Sequence, residues 1–205
     1  MSLQPEKSSA LPPCAPHPAA PNPGEFSQDE RRQLLQLAHD AIAAAIDNRE
    51  ISLEAPSEHL AERRGVFTTL YLHKELRGCV GYVFAVMPLY RAVAETAKAS
   101  AFEDARFWPV TKEEAPHLRV SLSVLSRLQP IRPEEIEIGK HGLVVSSGDR
   151  RGLLLPQVPV EHHWGRETFL EQTCRKAGLG DDAWRKGALL EAFTAEIFAD
   201  EGCQL

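Results

Sequence analysis

Apolar side chains recur every third or fourth residue in some stretches of this chain and every second residue in others. That contrast divides most of the chain into helices and strands. Leu34, Leu35, Leu37, Ala38, Ala41, Ile42, Ala45 and Ile46 carry the helical period and predict a helix over about 28–48. Its start is marked by Ser27 with Glu30 three residues later, a capping box, with Phe26 before it as a staple residue. Alternation takes over from Gly65 to Leu72, pauses at His73-Lys74-Glu75 and resumes to Phe84, which reads as a hairpin. Pro88 suits the first turn of a second helix, and Leu89, Ala92, Val93, Thr96, Ala97 and Ala101 line one face of it to about residue 102. From Phe102 to Val110 the period is lost while large side chains persist, so an ordered loop is expected there. Arg119 to Ser126 alternates as a half-exposed strand. Gly142 to Leu155 reads as a hairpin turning near Ser147-Gly148-Asp149. A helix over about 166–177 ends at Gly178, and Leu189 to Ala199 reads as one last strand. Helices and strands mix without regular strand–helix alternation, which predicts an α+β fold of mainly antiparallel sheet flanked by helices.

Residues 1–25 show neither period. They hold Pro5, Pro12, Pro13, Pro16, Pro18, Pro21 and Pro23 with few apolar residues, and are expected to form a disordered tail before a domain spanning 26–205. The formal net charge is −6 and basic residues occur at most in pairs, such as Arg63-Arg64 and Arg150-Arg151, which disfavours nucleic acid as a partner. No run of apolar residues is long enough to cross a membrane and the start carries no secretory pattern. Cys14, Cys79, Cys174 and Cys203 form no C-x-x-C pair. Together these features predict a cytoplasmic protein with reduced thiols.

The candidate chemistry concentrates in Leu76-Arg77-Gly78-Cys79-Val80-Gly81. Strict alternation would place Arg77, Cys79 and Gly81 on one face, and Leu76, Gly78, Val80 and Tyr82 on the other. A guanidinium beside a thiol favours the thiolate, so Cys79 is the candidate nucleophile and His141 the candidate base. Against this stands the plain alternative of a buried core cysteine with Arg77 paired to a carboxylate. Arg77, Arg106, Lys140 and Arg151, with the amides of Gly78 and Gly81, could form a rim for an anionic ligand; ordinary surface ion pairs are the competing view. Cys174 falls on the apolar face of its helix and reads as core before it reads as a redox partner of Cys79. His162 and His163 are adjacent and lack a third ligand at a metal spacing, so no metal and no cofactor is expected. His17 and His59 read as solvent-facing.

The hexapeptide resembles the signature of the AMMECR domain family, whose usual fifth residue is isoleucine where this chain has Val80. Four more segments match in order: Ala101–Phe107, Gly139–Leu143, Arg151–Val158 and Cys174–Leu179. The resemblance covers roughly residues 28–200. It implies an α+β fold with a larger and a smaller lobe and the signature segment at a cleft between them. Prokaryotic members are called AmmeMemoRadiSam system protein A, which implies association with a Memo-type protein and a radical S-adenosylmethionine enzyme. His162-His163 before Trp164 departs from the family pattern, and the family's reaction is not settled. Two functions stand: a non-catalytic binding component serving those companions, and an enzyme using Cys79 with Arg77 on a small-molecule or anionic substrate.

Overall fold

The structure is a computed structural model that describes residues 24–203. Most of the expected tail, with Cys14 and His17, lies outside the described residues. Glu25, assigned to that tail by sequence, is held: its N–H donates to the Glu196 carboxylate at 2.6 Å. Helix α1 (Gln28–Ile46) starts at the capping box, with Ser27 Oγ accepting the Glu30 N–H at 3.3 Å and the Glu30 carboxylate accepting the Ser27 N–H at 2.9 Å.

Strands β1 (Val66–Leu72), β2 (Glu75–Tyr82), β3 (Leu118–Leu125) and β8 (Ala195–Ala199) form an antiparallel sheet in the order β2-β1-β3-β8. Its inner face carries Val66, Leu70, Val120, Leu122 and Val124, all buried, against α1 and α2 (Leu89–Phe102). Period-2 strands and period-3.6 helices thus bury their apolar stripes on each other, the arrangement expected of a layered α+β domain. Within that interface the hydroxyls of Thr68 and Thr96 lie 2.7 Å apart, so the buried polar groups satisfy each other.

A second antiparallel sheet runs β4 (Gln129–Pro130), β7 (Leu189–Phe193), β5 (Gly142–Ser147), β6 (Arg150–Leu154). Helix α4 (Arg166–Lys176) covers it with Phe169, Leu170 and Cys174, each fully buried. Gly178 follows that helix at φ +69°, the left-handed conformation that ends helices and suits glycine. A smaller cluster of Leu125, Val144 and Phe193, with Phe67, Leu153 and Leu155 against it, joins the two sheets.

One expectation is corrected. Leu189 to Ala199 is not a single strand: it breaks at Thr194 into β7 and β8, which belong to different sheets. Thr194 is locked to Ser126 by two bonds, its N–H to Ser126 Oγ at 3.0 Å and its carbonyl from the Ser126 N–H at 2.8 Å. The alternation continues across the break because both strands are half-buried, so the pattern gives no sign of the change of sheet. The two-residue β4 and the short helix α3 (Gln157–Glu161) were not anticipated either; both are too short to show a period. Among the described residues no helix is long and apolar enough to cross a membrane.

Candidate functional site

The signature hexapeptide is the edge strand β2, and it departs from strict alternation. Thr69 stands opposite Cys79 and Leu70 opposite Gly78, but Tyr71 stands opposite Leu76. Arg77 is the extra residue of a bulge. Cys79 and Gly81 keep a common face, whereas Leu76 falls out of the step expected for it. Gly78 faces α2 so closely that a Cβ there would lie 2.0 Å from the Ser100 carbonyl oxygen. The Ser100 hydroxyl accepts the Val80 N–H at 2.9 Å and donates to the Thr68 carbonyl at 2.8 Å. It therefore bridges β2 to β1 where a direct ladder bond would otherwise run.

The outer edge of β2 is closed by side chains. The Cys79 N–H donates to Asp104 at 2.9 Å, and Arg106 donates to the Cys79 carbonyl at 3.3 Å. Arg106 in turn bonds Asp104 at 2.9 and 2.7 Å. A carboxylate and a guanidinium thus take the places of a neighbouring strand's carbonyl and N–H, which protects the edge from pairing with another chain. Hydrogen bonding from Arg106, helped by the N–H groups of Cys79 and Arg106, outweighs burial and lowers the Asp104 pKa to about 2.

Arg77 does not serve the thiol. It grips Glu114 with two bonds of 3.1 and 3.0 Å and donates to the Pro109 carbonyl at 3.3 Å. That pairing holds the Glu114 carboxyl below its usual range. Burial pushes the Cys79 thiol up; the Thr69 hydroxyl, donating to Sγ at 3.3 Å, and the charge of Arg106 offset this in part. The thiolate-stabilising role expected of Arg77 is therefore replaced by an ion pair to the following loop. His141 accepts the Glu137 N–H on Nδ1 at 3.1 Å, and Lys140 pairs with Glu137 at 2.7 Å. Neither hydrogen-bonds to Cys79. Arg151 pairs with Glu191 at 3.2 Å and lies over the Phe84 ring. Of the residues singled out by sequence, Arg77, Gly78, Cys79, Gly81 and Arg106 converge on β2, while Lys140 and His141 serve a turn before β5.

These residues hold the ordered loop expected after Phe102, to which the sequence assigned no role. The Val110 N–H closes onto the Ala101 carbonyl at 2.8 Å, Phe107 onto Asp104 at 3.0 Å, and the Thr111 N–H onto Glu114 at 2.8 Å. Asp104 and Arg106 fasten one end of the loop to β2, and Arg77 with Glu114 fastens the other. Between them Trp108 is 88% exposed. Its signal was available in principle, since a tryptophan in a loop that keeps large side chains but loses their period has no evident place in a core.

The profile of the AMMECR1 family matches residues 35–198. The chain belongs to the AMMECR1 family. It is 40% identical over 180 residues to a protein of Aquifex aeolicus, covering 83% of this chain and 92% of that one. It is 43% identical over 183 residues to a protein of Thermococcus gammatolerans, covering 82% and 89%. The crystal structure of an uncharacterized protein, PH0010, from Pyrococcus horikoshii superposes with a TM-score of 0.63 at 41% identity, over 82% of this chain and 90% of that chain.

Elsewhere in this AMMECR1-family domain, His59 is not the solvent-facing residue expected. Its ring stacks on Phe26 at 4.8 Å and its Nδ1 lies 2.7 Å from Glu30. Glu25, His59 and Glu62 are the one group among the described residues that brings metal-ligand atoms together. Arg64 sits between the two carboxylates, bonding Glu62 at 2.8 Å and both oxygens of Glu25, so a guanidinium already supplies the positive charge there. Cys174 is a free, fully buried thiol in the core of the second sheet.

The Asp104 pairing carries a pH signature. Its pKa of about 2 lies below the ordinary aspartate value, so its contribution is present above roughly pH 4 and is lost as pH falls through 2. Asp104→Asn should lower stability near neutrality by about 2 kcal/mol and flatten the acid limb of the stability curve. Thermal melts of both proteins between pH 5 and 2 test this, and parallel curves would refute it.

Proposed function

We propose that this chain is a non-catalytic binding component, a cytoplasmic accessory protein of a Memo-type protein and a radical S-adenosylmethionine enzyme, and that Trp108 anchors the contact. The observation that carries the reading is Trp108 itself, 88% exposed at the tip of a loop bonded to the signature strand at both ends. Exposing an indole to water is unfavourable unless it is covered in use, and tryptophan is prominent among residues that dominate binding energies. Fixing the loop beforehand removes part of the ordering entropy that association would otherwise oppose. The signature then has a coherent physical role. Arg77 and Cys79 build the platform: Arg77 through Glu114 and Pro109, Cys79 through its backbone to Asp104 and Arg106.

The enzyme reading has less to stand on. Burial raises the Cys79 thiol, its one hydrogen-bonding side chain is a threonine hydroxyl, and the candidate base His141 bonds to Glu137. Companion identity rests on the family resemblance. Calorimetric titration of this protein with each companion tests the proposal. Trp108→Ala should weaken the complex by about 2 kcal/mol or more, some thirtyfold, with an unchanged melting temperature. Absence of micromolar binding to either companion, or equal affinity in the variant, would reject it.

A further inference from the structure

The segment that leads into α1 is fastened by a cluster of charged groups in which the Trp108 loop takes no part. The N–H groups of Glu25 and Phe26 both donate to the Glu196 carboxylate of β8, at 2.6 and 3.4 Å. Arg64 grips the Glu25 carboxylate, and the buried Phe26 ring lies 6.1 Å from that of Phe198. His59 stands at the centre of these contacts. Its Nδ1 is 2.7 Å from Glu30 of α1 and its Nε2 is 3.5 Å from Glu25. Its ring stacks on Phe26 at 4.8 Å, with the two planes 13° apart. Both ring nitrogens thus face carboxylates, and the ring face covers an aromatic face.

Each of these contacts favours an imidazolium. A protonated ring has two N–H donors, one for each carboxylate, and a cation over an aromatic face gains a further attraction. A neutral ring has one N–H. The shorter contact, to Glu30, keeps it, and Nε2 then turns a lone pair toward Glu25. Losing the proton therefore weakens the two contacts that reach the entry segment and spares the one that reaches α1. The other charges nearby are already paired. Arg64 and Arg127 both bond Glu62, at 2.8 and 2.7 Å, and Arg31 donates to Glu196 at 3.0 Å. Burial alone would lower the His59 pKa, but the hydrogen bonds to Glu30 and Glu25 outweigh it and raise it. The contribution of His59 is therefore full below the ordinary value of about 6.5 and is lost as pH rises through the higher folded value.

We propose that residues 24–27 form a pH-sensitive strap, tightened by protonated His59 through Glu25 and Phe26 and loosened when that proton leaves. Glu25 is also one wall of a cavity of about 420 Å³ lined by Glu62, Arg64 and Arg127, so loosening the strap opens that side of the cavity. Histidine suits such a device because its charge changes close to neutral pH.

Two measurements on the full chain test the strap. Nuclear magnetic resonance of the His59 ring should give a titration midpoint above that of an unfolded histidine. Glu25→Gln should move the midpoint down, since whatever the proton does for the strap, the strap does for the proton. Solvent exchange of the Glu25 and Phe26 amides, each corrected for its intrinsic rate, should lose about fivefold in protection as pH rises through the midpoint, the scale of one partly exposed ion pair. His59→Gln should show the weaker protection at every pH. A midpoint at or below the unfolded value, a midpoint that Glu25→Gln leaves in place, or protection equal on both sides of the midpoint would overturn the proposal. So would the same pH-dependent loss in His59→Gln, which would assign the effect to another group. The titration of the parent and of Glu25→Gln stands even where His59→Gln does not fold.

Discussion

Gly78→Ala should destabilise the protein by about 3 kcal/mol or more, the upper range for forcing extra volume into a packed interior. The added carbon would lie 2.0 Å from the carbonyl oxygen of Ser100, and the next nearest atoms are also Ser100 backbone. No side chain can swing aside to make room. Relief requires α2 to move off β2, and the Ser100 hydroxyl that bridges Val80 to Thr68 would move with it. One methyl group would then break two hydrogen bonds, one of them fully buried, as well as the packing. Gly180→Ala is the control, since its nearest neighbour is the Asp182 carboxylate at an ordinary 3.6 Å and its φ is not positive. That change should fall within about 0.5 kcal/mol of the parent. Denaturant unfolding of the three proteins decides the matter. Equal midpoints for Gly78→Ala and Gly180→Ala would show that α2 yields at Ser100 without cost and refute the prediction.

The same pair of residues shows how far the sequence could be read. Glycine at 78 and 81 was recognisable as a sign of close approach, and so was the strand that contains them. What approaches was not legible: Ser100 falls on the buried face of α2, four residues after Thr96 and seven after Val93, but nothing in the sequence tells that its backbone and hydroxyl meet Gly78 and Val80 of another element. The long elements were legible for the opposite reason. In α1, β1, β3 and α4 a single face is buried over many residues, so the burial writes its period into the sequence. The bulge at Arg77 inserts one residue without changing composition, and the crossing at Thr194 joins two strands that share one period. Neither leaves a mark in the pattern. The candidate site was half legible. Arg77 and Cys79 stand out as a cation and a thiol among glycines, but the partner of Arg77 is Glu114, on a loop whose path depends on the fold.

That partner changes what Arg77→Ala should do. A guanidinium beside a thiol suggested that removing Arg77 would raise the Cys79 pKa and slow its alkylation. In the folded protein Arg77 bonds Glu114 through two nitrogens and Pro109 through one, with its side chain 13% exposed and that of Glu114 26% exposed. Deleting one partner of a largely buried ion pair leaves the other desolvated and unpaired, a loss of about 3 kcal/mol. The expected outcome is therefore a lower unfolding midpoint and a loosened 103–114 loop, with Trp108 no longer held in place. Cys79 should titrate as before, because burial sets its pKa and the nearby cation is Arg106. Arg106→Ala should do the reverse. It removes the charge that favours the thiolate, so alkylation of Cys79 at neutral pH should slow, at a smaller cost in stability because Arg106 is more exposed than Arg77. Measuring alkylation against pH alongside unfolding in both variants separates the two roles. A folded Arg77→Ala protein whose Cys79 reacts more slowly, beside an Arg106→Ala protein whose Cys79 is unchanged, would return Arg77 to the thiol and make the ion pair with Glu114 incidental.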